Sequence, residues 1–196
     1  MSGKRTMKAP LLALCMGTLV SGMWLSTTAS AAEQTRPFIM AGLAFGGDTL
    51  VDTTGSDLDA GGLLYFGGGI IHEPFNSNLM YQFSIGYKFD SVDFSGPSGD
   101  SSIRVVPVDA MAFYKVDRLR FGAGLTYYMN PKWELCFDFS GCATANFDDA
   151  MGVAFELRHQ WTDIMFWGAR YTNVEYEWGS STADASNLRI HFGMMF

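Results

Sequence analysis

The chain has 196 residues, with 13 Lys and Arg against 20 Asp and Glu, a formal net charge of −7. That length suits one domain, and the acidic balance argues against a nucleic-acid partner, which would want a basic face. Mean hydropathy is only slightly positive, and residues 32–196 contain no long apolar run. A helical membrane protein is thereby excluded, but a membrane barrel is not, because its strands alternate and average out.

Residues 1–31 have the layout of a secretory signal. Lys4, Arg5 and Lys8 make a basic start, Leu11 to Leu25 an apolar stretch, and Ala29-Ser30-Ala31 an A-x-A cleavage site. The apolar stretch is too short for the ~20 residues of a membrane span. Cys15 raises the alternative of a lipoprotein signal, but Leu14 before it is too large. The expected mature domain is residues 32–196. Without Lys4, Arg5 and Lys8 it keeps ten cations against twenty acids, a net charge of −10.

Eight alternating segments follow. Pro37 to Gly47 puts Ile39, Ala41, Leu43 and Phe45 on one face. Gly62 to His72 is rich in glycine, and its facing is ambiguous. Leu79 to Asp90 is the cleanest: Leu79, Tyr81, Phe83, Ile85, Tyr87 and Phe89 oppose Met80, Gln82, Ser84, Gly86, Lys88 and Asp90. A helix would scatter those aromatics all round. Ser102 to Lys115 turns Val106, Val108, Ala110, Ala112 and Tyr114 outward; Arg104 and Asp109 interrupt the pattern, and Pro107 predicts a bulge.

Leu119 to Met129 sets Leu119, Phe121, Ala123, Leu125 and Tyr127 against Arg120, Gly122, Gly124, Thr126 and Tyr128. Ala150 to Trp161 sets Met151, Val153, Phe155 and Leu157 against Gly152, Ala154, Glu156 and Arg158. Ile164 to Trp178 opposes Met165, Trp167, Ala169 and Tyr171 to Arg170, and slips near Asn173. Asn187 to Phe196 alternates Leu188, Ile190, Phe192, Met194 and Phe196 with Arg189, His191 and Gly193.

Three connections are short, at 72–78, 116–118 and 162–163. Four are long and polar, at 48–61, 91–101, 130–149 and 179–186. Short turns on one side and long loops on the other are the habit of a membrane barrel, and ten-residue tilted strands suffice to cross the hydrocarbon. Phe38, Tyr114, Tyr127, Trp161, Trp178 and Phe196 stand near strand ends, as interfacial girdles would. The expected fold is all-β: an eight-stranded antiparallel up-and-down transmembrane β-barrel, closed because lipid tolerates no unpaired sheet edge.

The inward faces carry both signs of charge. Lys88, Asp90, Arg120, Glu156, Arg158, Arg170, Arg189 and His191 are expected to form a paired interior network, a plug more than a pore. Two cysteines of the mature domain, Cys136 and Cys142, fall in one loop of an exported chain, where a local disulfide is the natural reading.

The signal, the strand rhythm, segments such as F-S-I-G-Y-K-F-D (Phe83 to Asp90) and the terminal Phe196 together resemble the small OmpA-like and OmpX-like outer-membrane barrels. The resemblance covers residues 32–196. It implies a Gram-negative outer-membrane address, contact with membrane lipid and lipopolysaccharide, and a monomer. It also implies that the last strand, with Leu188, Ile190, Phe192, Met194 and Phe196, is what the barrel-assembly machinery reads. It implies no activity, because this fold hosts many.

The lipid-A enzymes among such barrels give two templates. The deacylase type wants H-x-S, and neither His159-Gln160-Trp161 nor His191-Phe192-Gly193 fits. The palmitoyl-transferase type wants a histidine near the outer rim and a later Asp-Ser pair, and that histidine is missing. No cofactor is expected. Calcium is conceivable in the acidic stretch Asp52 to Asp59, against the plainer reading of a solvated surface. The function expected is a non-enzymatic surface or interaction role. A lipid-A-modifying enzyme and a narrow solute channel are the alternatives, and a soluble lipocalin-like barrel is the structural rival.

Overall fold

The computed structural model describes residues 34–53, 56–94, 99–137, 141–179 and 181–196, and the signal and its cleavage site lie outside them. In chain order the strands are β1 (Gln34–Phe45), β2 (Thr49–Thr53), β3 (Ser56–Asp59), β4 (Leu64–Glu73), β5 (Leu79–Phe94), β6 (Gly99–Val116), β7 (Leu119–Phe137), β8 (Gly141–Asn146), β9 (Ala150–Gln160), β10 (Met165–Asn173), β11 (Glu175–Trp178), β12 (Ser181–Asp184) and β13 (Asn187–Met195).

Eight of these close a barrel in the order β1-β4-β5-β6-β7-β9-β10-β13, every neighbour antiparallel. The first strand pairs with the last from Phe38↔Met195 to Phe45↔Leu188, which leaves the barrel wall without an edge. The remaining strands build hairpins on one rim. β2 pairs with β3, β11 with β12, and β8 extends the far end of β7.

Sequence alternation becomes inside and outside. Ile39, Phe83, Ile85, Leu125, Phe155, Ile190 and Phe192 are exposed on the outer wall, while Lys88, Asp109, Glu156, Arg158, Arg170, Arg189 and His191 are buried within. A water-soluble barrel would show the reverse. The apolar wall needs a hydrocarbon solvent, and closure satisfies its backbone there. In β4 the facing is resolved: Tyr65 and Ile71 point in, and Phe66 and Ile70 point out.

Three expectations need correction. The bulge expected at Pro107 lies instead on the opposing strand. Arg104 pairs with Lys132 but Val106 pairs with Met129, so β7 carries the extra residue at Asn130, with φ +49°. Pro107 keeps its inward register and is buried. Second, the loops expected at 91–101 and 130–149 are largely strand. β6 runs for 18 residues and β7 for 19. At ~3.4 Å per residue and a ~45° tilt such strands rise roughly 40 Å, beyond a ~30 Å hydrocarbon layer. Third, Phe38 is not a girdle residue. It is 2% exposed inside the barrel, whereas Tyr114, Trp161, Trp178 and Phe196 are more than half exposed.

Candidate functional site in the barrel interior and its outer rim

The interior is layered along the barrel axis. Toward the short turns it is apolar: Phe38, Met40, Ile71, Met80, Met111, Phe113, Phe166 and Met195 pack together, with Tyr65 at their edge. Small residues make room for them. A side chain at Gly122 would strike the Phe113 ring, and one at Gly193 the Phe166 ring.

Above this layer lie the charges, in two clusters. Arg158 donates from Nε (2.9 Å) and Nη2 (2.6 Å) to Glu156 Oε1, and from Nη2 to Gln82 Oε1 at 2.6 Å across the lumen. Its guanidinium lies over the rings of Phe113 and Phe166, 4.5 and 4.1 Å from their centroids. His191 Nε2 stands 3.2 Å from the same Glu156 oxygen. The second cluster is a two-pronged pair: Arg170 Nη1 and Nη2 donate to Asp109 Oδ2 and Oδ1 at 3.0 and 2.7 Å. Ser84 links the clusters, donating to Asp109 Oδ2 at 3.2 Å and accepting from Gln82 Nε2 at 3.4 Å. Charge-assisted, forked geometry of this kind gives the strongest side-chain hydrogen bonds.

Among the described residues Lys88 and Arg189 form no ion pair, although Arg189 is near enough to Asp109 to act on it through space. Arg189 stacks on Tyr65, 3.7 Å from the ring centroid. Lys88 Nζ is 3.4 Å from the Tyr128 hydroxyl.

Six of the eight residues expected inside, Lys88, Glu156, Arg158, Arg170, Arg189 and His191, are buried in this layer. Two are not in it. Asp90 is on the inward register but at the outer rim, where its Oδ1 accepts the Ser91 amide at 2.8 Å. Arg120 is at the other rim, donating to the Asp117 and Leu119 carbonyls of its own turn at 2.8 and 3.2 Å. Asp109, Gln82, Ser84 and Tyr65 complete the layer. Asp109 had a legible signal, because Val108 and Ala110 already face out on either side of it.

The outer rim has an apolar cluster of its own. Leu58, Ala60, Val92, Ile103, Val105, Tyr128, Val174, Tyr176 and Ala185 bury one another above the charges, with Trp133 and Phe147 against them. Asp149 fastens the β7 bulge, accepting the Asn130 amide at 2.8 Å and the Tyr127 hydroxyl at 2.9 Å. Those two donors hold its carboxyl below the usual range. Arg104 faces outward here and pairs with Glu134 at 3.0 Å. Cys136 and Cys142 are register partners on β7 and β8 and are joined as a disulfide. In the stretch considered for calcium, Asp52 and Asp57 are paired across β2 and β3, and Asp59 accepts from Thr49 at 3.2 Å. Among the described residues no group of three or more His, Cys, Asp and Glu could hold a metal ion.

A closed eight-stranded sheet with a charged interior and an apolar wall defines a small membrane-spanning β-barrel. Solved structures share the architecture. Ail, the attachment invasion locus protein of Yersinia pestis, in complex with the heparin analogue sucrose octasulfate, aligns with a TM-score of 0.55 at 14% identity, over 84% of this chain and 99% of that one. Ail alone aligns at 0.50 and 12%, over 84% and 99%. Neisserial surface protein A aligns at 0.44 and 11%, over 86% and 98%. No protein-family model and no curated protein matches the sequence.

Proposed function

We propose that this protein is a non-enzymatic surface protein of the outer membrane, whose barrel is a plugged anchor and whose outer hairpins are the working part. The observation that carries this reading is the separate apolar core of the outer rim, from Leu58 to Ala185. A loop that only joins strands needs no core of its own. Hairpins that bury Tyr176, Ile103 and Leu58 hold a fixed surface, and a fixed surface is worth having when something is to be recognised.

The chemistry of that surface narrows the partner. Segments 48–61, 90–104, 130–149 and 174–186 hold fourteen Asp and Glu against two cations, Arg104 and Lys132. Both cations lie against Glu134. A sulfated polyanion such as the one bound to Ail would be repelled here, and a cationic protein surface attracted. The wall residues would meet membrane lipid, the acidic rim would sit among lipopolysaccharide headgroups, and the strand ending in Phe196 would be read by the assembly machinery. The barrel would work as a monomer.

Against catalysis stands the burial of His191 and Glu156, at most 4% exposed inside the barrel and out of reach of a membrane lipid. Against conduction stands the packing of Phe38, Phe113, Phe166 and Met195 across the lumen.

The test compares cells displaying the protein with cells displaying a form whose 130–149 hairpin tip is replaced by a short Gly-Ser turn. Binding of a cationic reporter protein should fall with the replacement and with rising salt, and a heparin column should not retain the purified barrel. Stepwise single-channel currents from the purified barrel, or a mass change in the lipid A of an overexpressing strain, would overturn the reading.

A further inference from the structure

Among the described residues, the buried charges of the barrel do not balance. Four cations, Lys88, Arg158, Arg170 and Arg189, are at most 4% exposed, against two equally buried carboxylates, Asp109 and Glu156. Both carboxylates already have a guanidinium partner, although Glu156 Oε2 itself accepts no bond. Asp109 is gripped by both prongs of Arg170, and Glu156 by Arg158 with His191 beside it. Lys88 and Arg189 are left in the outer half of the lumen with no carboxylate paired to either among the described residues.

They are also close together. Lys88 is the register partner of Tyr65, and Arg189 lies on the Tyr65 ring. Among the described residues neither forms an ion pair, and Asp109, which acts on Arg189 through space, is held by both prongs of Arg170. Among the described residues Arg189 Nε and Nη2 have no hydrogen-bond partner, and Lys88 Nζ meets Tyr128, 3.4 Å from its hydroxyl and 5.3 Å from its ring centroid. The compartment has a roof. Gly62, at φ +67°, lies over Lys88, and the apolar rim core covers the mouth. Buried, unpaired, like-charged neighbours are among the most costly arrangements a fold can keep. Aromatic faces offset only a part of that cost.

We propose that Lys88 and Arg189 bind a small inorganic anion of halide size inside the barrel, between the Tyr65 and Tyr128 side chains. Lys88 Nζ and the free Nε and Nη2 of Arg189 are its donors. The surroundings are close-packed and favour a small ion: an added Cβ at Gly62 would touch Lys88 at 3.8 Å, and one at Gly86 would meet the Tyr65 ring. The anion supplies the charge that lets two cations be buried side by side, so it is a structural ligand and not a transported one.

The test uses the full barrel in detergent at fixed ionic strength, with chloride exchanged for gluconate, an organic anion too large for the compartment. The thermal midpoint should rise with chloride, by roughly 3–6 °C for each tenfold increase once the site is near saturation. Crystals soaked in bromide should give an anomalous peak between Lys88 and Arg189. K88M and R189M, where they fold, should lose the chloride dependence. Equal midpoints in chloride and gluconate for the unaltered protein, or no bromide at this position, would overturn the proposal. Neither of those two readings needs a variant to fold.

Discussion

Arg170 and Arg189 lie directly opposite each other on β10 and β13, both inside the barrel, yet only Arg170 is met by a carboxylate. That carboxylate, Asp109, comes from β6, on another part of the wall. Its two oxygens are both taken by Arg170, and the Arg189 guanidinium lies instead on the Tyr65 ring.

The Asp109–Arg170 pair should therefore be costly to break from one side. D109N leaves Arg170 buried without its counter-charge, and a loss on the order of 3–5 kcal/mol is expected. Replacing both partners by leucine should recover a large part of it. Urea unfolding of the barrel in detergent, followed by band mobility without boiling, reads both numbers. A D109N barrel as stable as the parent would mean that the pair carries no weight.

Close approach of strands imposes a second constraint. A Cβ at Gly69 would run into the Phe83 carbonyl oxygen and come within 2.7 Å of Ser84 Cα. Both are backbone atoms of the neighbouring strand, so neither can rotate away. G69A should reduce or abolish the compact form that migrates fast in SDS before heating. Normal yield of that form would show that β4 and β5 can separate at this point.

The Cys136–Cys142 disulfide closes a short segment at the tip of the β7–β8 hairpin. Chain-entropy arguments give a bond closing so short a loop about 2 kcal/mol, confined to the hairpin. C136S together with C142S should leave the heat-shifted band unchanged while making residues 130–149 more readily cleaved by protease on intact cells. A loss of the barrel band itself would mean that the hairpin is required for closure.

At the short-turn rim Glu73 accepts from Lys115 at 2.9 Å and from Arg36 at 3.1 Å. Burial pushes its carboxyl up, but the two cations outweigh that and hold it below its ordinary value of 4.5. A carboxyl with a depressed folded value adds stability that is fully present above 4.5 and is lost as the pH falls through the lower folded value. E73Q should be less stable than the parent at pH 7, by about 1 kcal/mol for a part-buried pair at the rim. The two should converge in acid. A constant gap from pH 7 down to pH 3 would contradict this assignment.

Much of this was legible in the sequence. Period-two alternation is a local property, because each strand residue points opposite to its neighbour whatever the strand pairs with. Leu79 to Phe89, Leu119 to Tyr127 and Leu188 to Phe196 thus declared their lipid-facing sides directly. So did the inward placement of Arg158, Arg170 and His191. Cys136 and Cys142 were few and near enough to imply their bond.

What the alternation could not carry is height along the barrel and identity across it. Asp90 and Arg120 have the right facing but sit beyond the two ends of the charged layer, because tilt and register fix a residue's depth. Phe38, Phe113 and Phe166 are inward aromatics whose shared layer exists only once three distant strands meet. The bulge moved from Pro107 to Asn130 because a bulge belongs to a pair of strands, not to one. Sequence alone therefore determined the class, the strands and their two faces, for these follow from the chemistry of neighbours in the chain. Only the tertiary structure decided that Asp109 takes Arg170, that Gln82 reaches Arg158 across the lumen, and that Lys88 and Arg189 are left together. Those contacts join residues dozens of positions apart, and the shear of the closed sheet alone brings them level.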